Sequence, residues 1–423
     1  MVKLEENKFY TKDRKIELLP LPRKVYIPLS QHLGQPCKPL VSVGDVVSLG
    51  QKIGSVDAHL YAPVHASIPG KVVSIEDYPH PVLGKFKTIV IEGEGNLVSQ
   101  GLKIRPENEL DKFTPQDIRD IIFESGIVGM GGASFPTHIK FNPPKPVDTL
   151  IVNGAECEPY LTADYRLMIE KAEEIIMGVK LVARCLGVKK IYIAIEDNKP
   201  EAIAMFKSLN SIFEIKVLKS IYPQGGEKQL IKSVLGKEVT RGKLPFDAGV
   251  VVYNVGTVFA IYEAAYLNKP LYERIVTVTG RCLENPKNLL VRIGTPIREL
   301  IDFCGPLKEE PAKIIIGGPM MGIAQYTDQV PVIKSTNGVL LFNKEEAKYL
   351  DEQYCIRCGA CVRECPAGLM PCLINLASEK ELWQDATKYG ALDCIECGIC
   401  NYVCPANRIL VQSIKRAKLE AAR

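Results

Sequence analysis

The sequence has no hydrophobic run able to cross a membrane. Its most apolar stretch, Gly249 to Leu267, carries Asn254 and Glu263 and is closed by Asp247 and Lys269. The opening residues, MVKLEENKFYTKDRK, lack the apolar segment of a secretory leader, so the chain is expected in the cytosol or against a membrane face. Neither sign of charge dominates. Fifty-three basic and 49 acidic residues leave +4, too balanced for nucleic acid to be an expected partner. Histidine is scarce, and its five copies (His32, His59, His65, His80, His138) form no HxxxH pair, which removes the zinc-hydrolase class. There is no GK[ST] tripeptide and hence no Walker-type phosphate loop. With 46% hydrophobic and 24% charged residues, collagen-like, coiled-coil and disordered chains are excluded as well. At about 150 residues per domain, 423 residues suggest two to four domains.

The text along the chain changes style several times. Residues 1–29 are polar and read as an arm that packs on the body. Residues 30–100 hold short apolar pieces punctuated by glycine and proline, such as PLVSVGDVVSLGQKIG and YAPVHASIPGKVVSI, which predict a small all-β domain. In residues 101–268, β-branched runs (LIVNGA, KIYIAIED, FEIKVL, VVVYNVG) alternate with helical patterns (DYRLMIEKAEEIIMGVKLVARCLG, KPEAIAMFKSL). That alternation predicts an α/β domain with a largely parallel sheet. Residues 269–343 read as a small α+β domain with one helix at TPIRELIDFCG, and residues 344–423 as helical around cysteine loops. The tail RILVQSIKRAKLEAAR has five basic residues and one acidic one and is read as a solvated helix face.

Cysteine is what the chain has in excess. Nine of its 14 cysteines fall between Cys355 and Cys404. They form Cys355-x2-Cys358-x2-Cys361-x3-Cys365-Pro366 and, again, Cys394-x2-Cys397-x2-Cys400-x3-Cys404-Pro405. Zinc knuckles use paired CxxC with four ligands, and this spacing suits them poorly. It is the run of two-cluster bacterial ferredoxins, in which the fourth cysteine serves the other cluster. Cys355, Cys358, Cys361 and Cys404 are therefore expected on one [4Fe–4S] cluster, and Cys394, Cys397, Cys400 and Cys365 on the second. Pro366 and Pro405 are expected to end the loops and start helices. Cys372 fits neither quartet and reads as a buried thiol. Two one-electron centres close together form a wire, so the chain is expected to move electrons.

A wire needs a terminal. GIVGMGGASFPTHIKF (126–141) is a glycine-rich loop followed by a lysine, a combination that lets backbone N–H groups approach phosphate. It resembles the GRGGAGFPTGxKW loop of the flavin-bearing subunit of respiratory complex I. VNGAECEP (152–159), YPQGGEKQL (222–230) and YNVGT (253–257) resemble that subunit's NADESEP, YICGEETAL and NNVET in the same order. From ELLPLPRKVYIPLSQHLGQPC onward the chain is similar to the RnfC family of Rnf electron-transport complexes, with cobalamin reductases related.

The resemblance implies a multidomain α/β plus β protein. A barrel-sandwich β domain, a Rossmann-like flavin and nucleotide domain, an SLBB β-grasp domain and a helical two-[4Fe–4S] ferredoxin domain would follow the arm. It implies noncovalent FMN and NAD(H) as substrate. Gly129, Gly131, Gly132 and Lys140 would face the FMN phosphate and the nucleotide. Asn153, Glu156 and Glu158 would line the flavin and nicotinamide pocket, Gly225, Gly226 and Glu227 would form a second loop against them, and Asn254 and Thr257 would bond the flavin side chain. Glu158 and Glu227 would stand nearest the chemistry. Ala155, Gly226 and Ser134 depart from the complex I pattern, and a GG-x-HP element expected near the start is absent. The barrel-sandwich text carries no lysine from Gly54 to Pro69, so no swinging arm is expected. The implied activity is that of the NAD(H)-reactive subunit of a membrane-bound ferredoxin:NAD+ oxidoreductase that couples electron flow to ion transport. It would be peripheral on the cytoplasmic face, docked on membrane subunits and exchanging electrons ultimately with ferredoxin. The alternatives are a soluble cobalamin reductase and an electron-transfer subunit without nucleotide binding.

Overall fold

A computed structural model describes residues 1–93, 104–209, 213–348 and 350–421. The boundary expected at residues 100 and 101 lies outside them.

The β text of the first hundred residues folds as two facing sheets. One runs in the order Val46–Val47, Gly70–His80, Gly84–Gly93, Lys24–Pro28, and the other is made of Lys38–Pro39, Lys52–Ser55 and Val64–His65. Alternation puts Val25, Ile27, Val72, Ile89 and Ile91 inward, against Ile53 and Val64 of the opposite sheet. The long hairpin turns at Gly84, whose φ of 75° suits a residue without Cβ.

The expected parallel sheet is present, with strands Glu214–Leu218, Lys190–Glu196, Thr149–Gly154 and Val250–Asn254 side by side in that order. Its strands read as continuous apolar runs because helices cover both faces. Pro115–Glu124, Ala172–Leu186 and Val255–Leu267 bury Ile118, Ile122, Ile175, Val179, Val258 and Ile261 against one face. Glu227–Leu235 buries Leu230 and Ile231 against the other. The most apolar stretch of the chain is thus explained: Val255–Leu267 is a core helix, buried nearly all round. Among the described residues no helix is long and apolar enough to cross a membrane.

The single helical run expected from Asp164 to Gly187 is two helices, Ala163–Glu170 and Ala172–Leu186. Lys171 leaves helical dihedrals between them (φ −138°, ψ 34°), so the first segment lies against the strand Glu273–Thr279 and the second against Val255–Leu267. A third body is a six-stranded mixed sheet built on Lys287–Arg292, Glu273–Thr279, Gly338–Phe342 and Lys313–Ile316. Ile16–Leu18 of the arm joins its edge in parallel register with Asn288–Leu290.

The cysteine-rich end is helical: Ala360–Arg363, Pro371–Glu379, Trp383–Lys388, Ile399–Tyr402 and Leu410–Ala421. The helices expected to start at Pro366 and Pro405 begin five residues later, at Pro371 and Leu410. The prolines open turns instead, and those turns contain Gly368 (φ 62°) and Asn407 (φ 52°), a left-handed backbone that a helix interior rejects. The tail helix is more than a solvated face. It buries Leu410, Val411, Ile414 and Ala417, and the Lys418 ammonium donates to the Cys394 carbonyl and pairs with Glu396 at 2.6 Å.

Candidate functional site

In an open parallel sheet, ligands bind beyond the carboxyl ends of the strands where the strand order reverses. Here the chain steps outward from Thr149–Gly154 through two strands, then returns to its other side with Val250–Asn254. The reversal falls between those two strands. Their last paired residues are Asn153 and Asn254, directly opposite each other.

Each asparagine organises a loop. The Asn153 amide donates to the Gly225 carbonyl (2.9 Å), and its oxygen accepts from the Ala155 N–H (3.0 Å). Asn254 caps the helix Val255–Leu267, accepting from the N–H groups of Gly256 and Thr257, and donates to Asp164 at 2.6 Å. Burial, with the Glu156 carboxylate beside it, raises the Asp164 pKa above the usual range. Glu156 itself sits at φ 49° and accepts from the N–H groups of Asp164 and Tyr165, so it satisfies the N-terminal end of the helix Ala163–Glu170.

The glycine loop lies across this crevice. It closes on itself through Gly129 N–H to the Phe135 carbonyl (2.9 Å) and is anchored by Met130 N–H to the buried Thr257 hydroxyl (2.9 Å). Thr257 therefore holds the loop. A Cβ on Gly131 would come within 2.8 Å of the Asn254 amide, while one on Gly132 would meet nothing within 4 Å. The loop thus presents bare backbone at its floor and open space beyond it. Lys140 follows, and its ammonium donates to Glu227 (2.8 Å) and the Val252 carbonyl (3.2 Å). Glu227 opens the helix that follows Gly225 and Gly226. A cradle of exposed backbone with a lysine at its side fits a phosphate-bearing flavin.

The structure brings Gly131, Asn153, Asn254 and Gly225 around one crevice, and joins Lys140 to Glu227 at its edge. Glu158 is placed differently. Its carboxylate is half-buried and accepts from Met320 and Met321 N–H (3.1 and 2.8 Å), in the turn of GGPMMG. Gly318 leaves no room there for a side chain, since a Cβ would lie 2.2 Å from the Glu158 carboxylate. Burial pushes the Glu158 pKa up to about 7 against the pull of those two amides. The same turn presses on the cysteine loop: a Cβ on Gly398 (φ 79°) would come within 2.5 Å of the Met320 carbonyl.

That loop carries the second quartet. Cys365, Cys394, Cys397 and Cys400 line one hollow, closed by Leu369, Val411 and Ile414. Among the described residues no three metal-binding side chains converge on a point that would hold a single ion. Four thiols ringing a hollow fit a cubane cluster. Cys361 lies beside Cys372 and Cys404, while Cys355 and Cys358 are exposed at the outer surface. The hollow is docked on the flavin-type domain. The Tyr222 hydroxyl donates to the Cys397 carbonyl (2.7 Å), and Gln229 donates to the Pro366 carbonyl (3.2 Å).

Sequence reasoning missed several of these groups. Asp164 carried a signal, an acid in the first turn of a helix just after VNGAECEP. Tyr222 opens the YPQGGEKQL motif, but its partner is 175 residues away and invisible to spacing.

Family models match four consecutive regions: an RnfC barrel sandwich hybrid domain at residues 2–96, a Nuo51 FMN-binding domain at 122–263, an SLBB domain at 275–324 and a 4Fe-4S dicluster domain at 347–416. The C-type subunit of the proton-translocating ferredoxin:NAD(+) oxidoreductase complex of Clostridium ljungdahlii is 48% identical over 98% of this chain and 92% of its own length. Its counterpart in the Na(+)-translocating complex of Acetobacterium woodii is 47% identical over 94% of this chain and 91% of its own. Among solved structures, an NAD+-reducing [NiFe]-hydrogenase in the H2-reduced state aligns with a TM-score of 0.52 at 17% identity, over 76% of this chain and 68% of that one, a likeness of fold. Near-complete coverage at such identity, with all four domain models in order, means that this chain belongs to the RnfC family of ion-translocating ferredoxin:NAD(+) oxidoreductase complexes.

Proposed function

We propose that the chain is the NAD(H)-reactive, FMN- and iron–sulfur-containing subunit of a membrane-bound ferredoxin:NAD+ oxidoreductase that couples electron transfer to ion translocation. The observation that carries this reading is the contact between crevice and hollow. Tyr222 belongs to the loop that faces Asn153, and it bonds the backbone of Cys397 in the cysteine loop. When bound, FMN converts between the hydride pair of a nicotinamide and the single electrons of a cluster.

The chain's own residues bind, orient and insulate. Gly129, Gly131 and Gly132 offer backbone N–H groups to phosphate. Lys140 would hold the phosphate in place of its pairing with Glu227, which costs little to give up because both side chains are about a third exposed. Asn153 and Asn254 set the crevice walls, and Glu156, Gly225, Gly226 and Thr257 hold the loops that form it. Glu227 borders the mouth. Glu158 joins the flavin-type domain to the SLBB turn. Cys365, Cys394, Cys397 and Cys400 would hold one cluster, in the loop that Tyr222 ties to the crevice, and Cys355, Cys358, Cys361 and Cys404 would hold the other, where Cys355 and Cys358 are exposed. The exposed Cys355 and Cys358 would leave that second cluster accessible to further subunits, with ferredoxin as the final partner. The chain divides into arm (1–29), barrel sandwich (30–100), flavin domain (101–268), SLBB domain (269–343) and two-cluster domain (344–423). It works on the cytoplasmic face of the membrane, held there by membrane subunits.

The test is reconstitution of the full chain with FMN and clusters under argon. NADH should bleach the flavin absorbance, and electrons should reach an artificial one-electron acceptor. If FMN binds and no nicotinamide nucleotide reduces it, the Ala155 and Gly226 departures have removed the nucleotide site, and the chain serves electron transfer only.

A further inference from the structure

Residues 1–12 run along the seam between the crevice and the cysteine loop. Val2 forms an antiparallel bridge with Tyr222, with both backbone bonds made (3.0 and 2.8 Å). Val2 and Leu4 pack with Tyr222, Cys157, Met320, Cys397 and Ile399 in one apolar cluster. The Glu6 carbonyl accepts from Tyr160 N–H, and the Thr11 hydroxyl meets that of Thr162 (2.7 Å).

Between these contacts Lys8 turns inward and is 8% exposed. Its ammonium donates to the carbonyls of Glu156 (2.9 Å), Glu158 (2.9 Å) and Leu161 (2.5 Å). An ammonium has three donors, and all three are used. Burying a cation is costly, a penalty only partly offset by the Glu156 and Glu196 carboxylates nearby, but an apolar side chain of the same length would leave all three carbonyls without a donor. Specific geometry is what the cation adds. The segment it grips needs holding, because Glu156 (φ 49°) and Tyr160 (φ 68°) both adopt left-handed backbone without being glycine. That segment also aims the Glu156 and Glu158 carboxylates, one at the helix below the crevice and one at the turn pressing on Gly398.

We propose that Lys8 is a positioning residue for electron exchange between the flavin site and the Cys365/Cys394/Cys397/Cys400 cluster, fixing the 156–161 segment so that crevice and cysteine loop keep one spacing. The proposal rests on the function proposed above. Electron tunnelling falls exponentially with distance, so a seam that breathes transfers electrons slowly and unevenly.

The test compares the full chain, with clusters built in anaerobically, with Lys8→Met and Lys8→Gln. Lys8→Met keeps the length and loses every donor. Lys8→Gln keeps one amide group and is the fallback should the methionine variant fold poorly. Three quantities are read: hydrogen exchange by segment, the EPR spectrum of each reduced cluster, and FMN affinity by fluorescence titration. Loss of the charged hydrogen bonds should raise exchange about tenfold or more in residues 155–162, with glutamine intermediate. Exchange in the barrel-sandwich strands should stay unchanged. The EPR signal of the Cys365/Cys394/Cys397/Cys400 cluster should broaden or shift while that of the other cluster stays as it was, and FMN affinity should fall about tenfold. Unchanged exchange and EPR in both variants would overturn the proposal. So would a loss of protection spread evenly into the barrel sandwich, which marks Lys8 as a stability residue only. If the unaltered chain takes up no FMN, the functional reading fails, and the exchange and EPR arms still decide the role of Lys8.

Discussion

At the scale of single residues, buried charge shows most clearly what the sequence hides. Lys334 reads as one lysine among many, yet it is 1% exposed. Its ammonium donates to the carbonyls of Pro63 and Gly126 (2.6 Å each), and its own N–H donates to Gln31. It therefore ties the barrel sandwich to the flavin-type domain. Gly126 is constrained in turn, since φ is 65° and a Cβ would lie 2.8 Å from that ammonium. Burial pulls the Lys334 pKa down to about 7. In the unfolded chain it returns to about 10.4, so the unfolded state binds more protons between those values and stability rises with pH across that window. Lys334→Met removes this dependence. The melting temperature of Lys334→Met relative to the parent should be highest at pH 6–7 and fall steadily toward pH 9.5, a swing worth a few kcal/mol at most (about 1.4 per pKa unit). Thermal unfolding at a series of pH values checks it, and a difference independent of pH would refute the assignment. The glycine loop, the paired asparagines and the cysteines were legible because each sits in a short motif. The partners of Glu158, Lys140 and Lys334 were not, because they come from segments far away in the chain.

At the scale of elements, periodicity did well wherever a strand or helix meets one continuous surface. All four expected runs of the parallel sheet became strands, at 149–154, 190–196, 214–218 and 250–254. It failed where tertiary contacts interrupt a pattern. The break at Lys171 lies inside an unbroken amphipathic text, and nothing local marks it. The helices after the cysteine runs start late because two left-handed residues intervene, which proline spacing alone does not reveal. The same turns set a test of ligation. Cys365 lines the hollow of Cys394, Cys397 and Cys400, and Cys404 neighbours Cys361. Cys365→Ser should therefore damage the cluster of the 394–400 loop and spare that of the 355–361 loop, with Cys404→Ser doing the reverse. By EPR of the reduced proteins, Cys365→Ser should lose the signal that Cys397→Ser loses, and Cys404→Ser the signal that Cys358→Ser loses. The opposite matching would mean that each run keeps its own fourth cysteine.

At the scale of the whole molecule, the domains are arranged around one seam. The arm, the 153–162 loop, the SLBB turn at Met320 and the loop at Cys397 all meet at Tyr222 or Glu158. The resemblance named these domains, but it gave no account of how they touch. That arrangement leaves the far side of the two-cluster domain free, where Cys355 and Cys358 are exposed beside Tyr354 (93% exposed) and Ile356 (67%). Apolar side chains around an exposed cluster suit a protein partner better than a lipid surface, which would call for a basic patch. The tail helix is unavailable for a lipid role, because its apolar side is spent on the domain core and Lys418 on the Cys394 carbonyl and Glu396. Attachment to the membrane should then be through protein and largely apolar. In native cells the chain should sediment with membranes, resist extraction by molar salt and be released by mild detergent together with other subunits. Tyr354→Asp with Ile356→Asp should move most of it to the soluble fraction with both cluster EPR signals intact. Release by salt alone, or retention of the double variant on membranes, would place the attachment elsewhere.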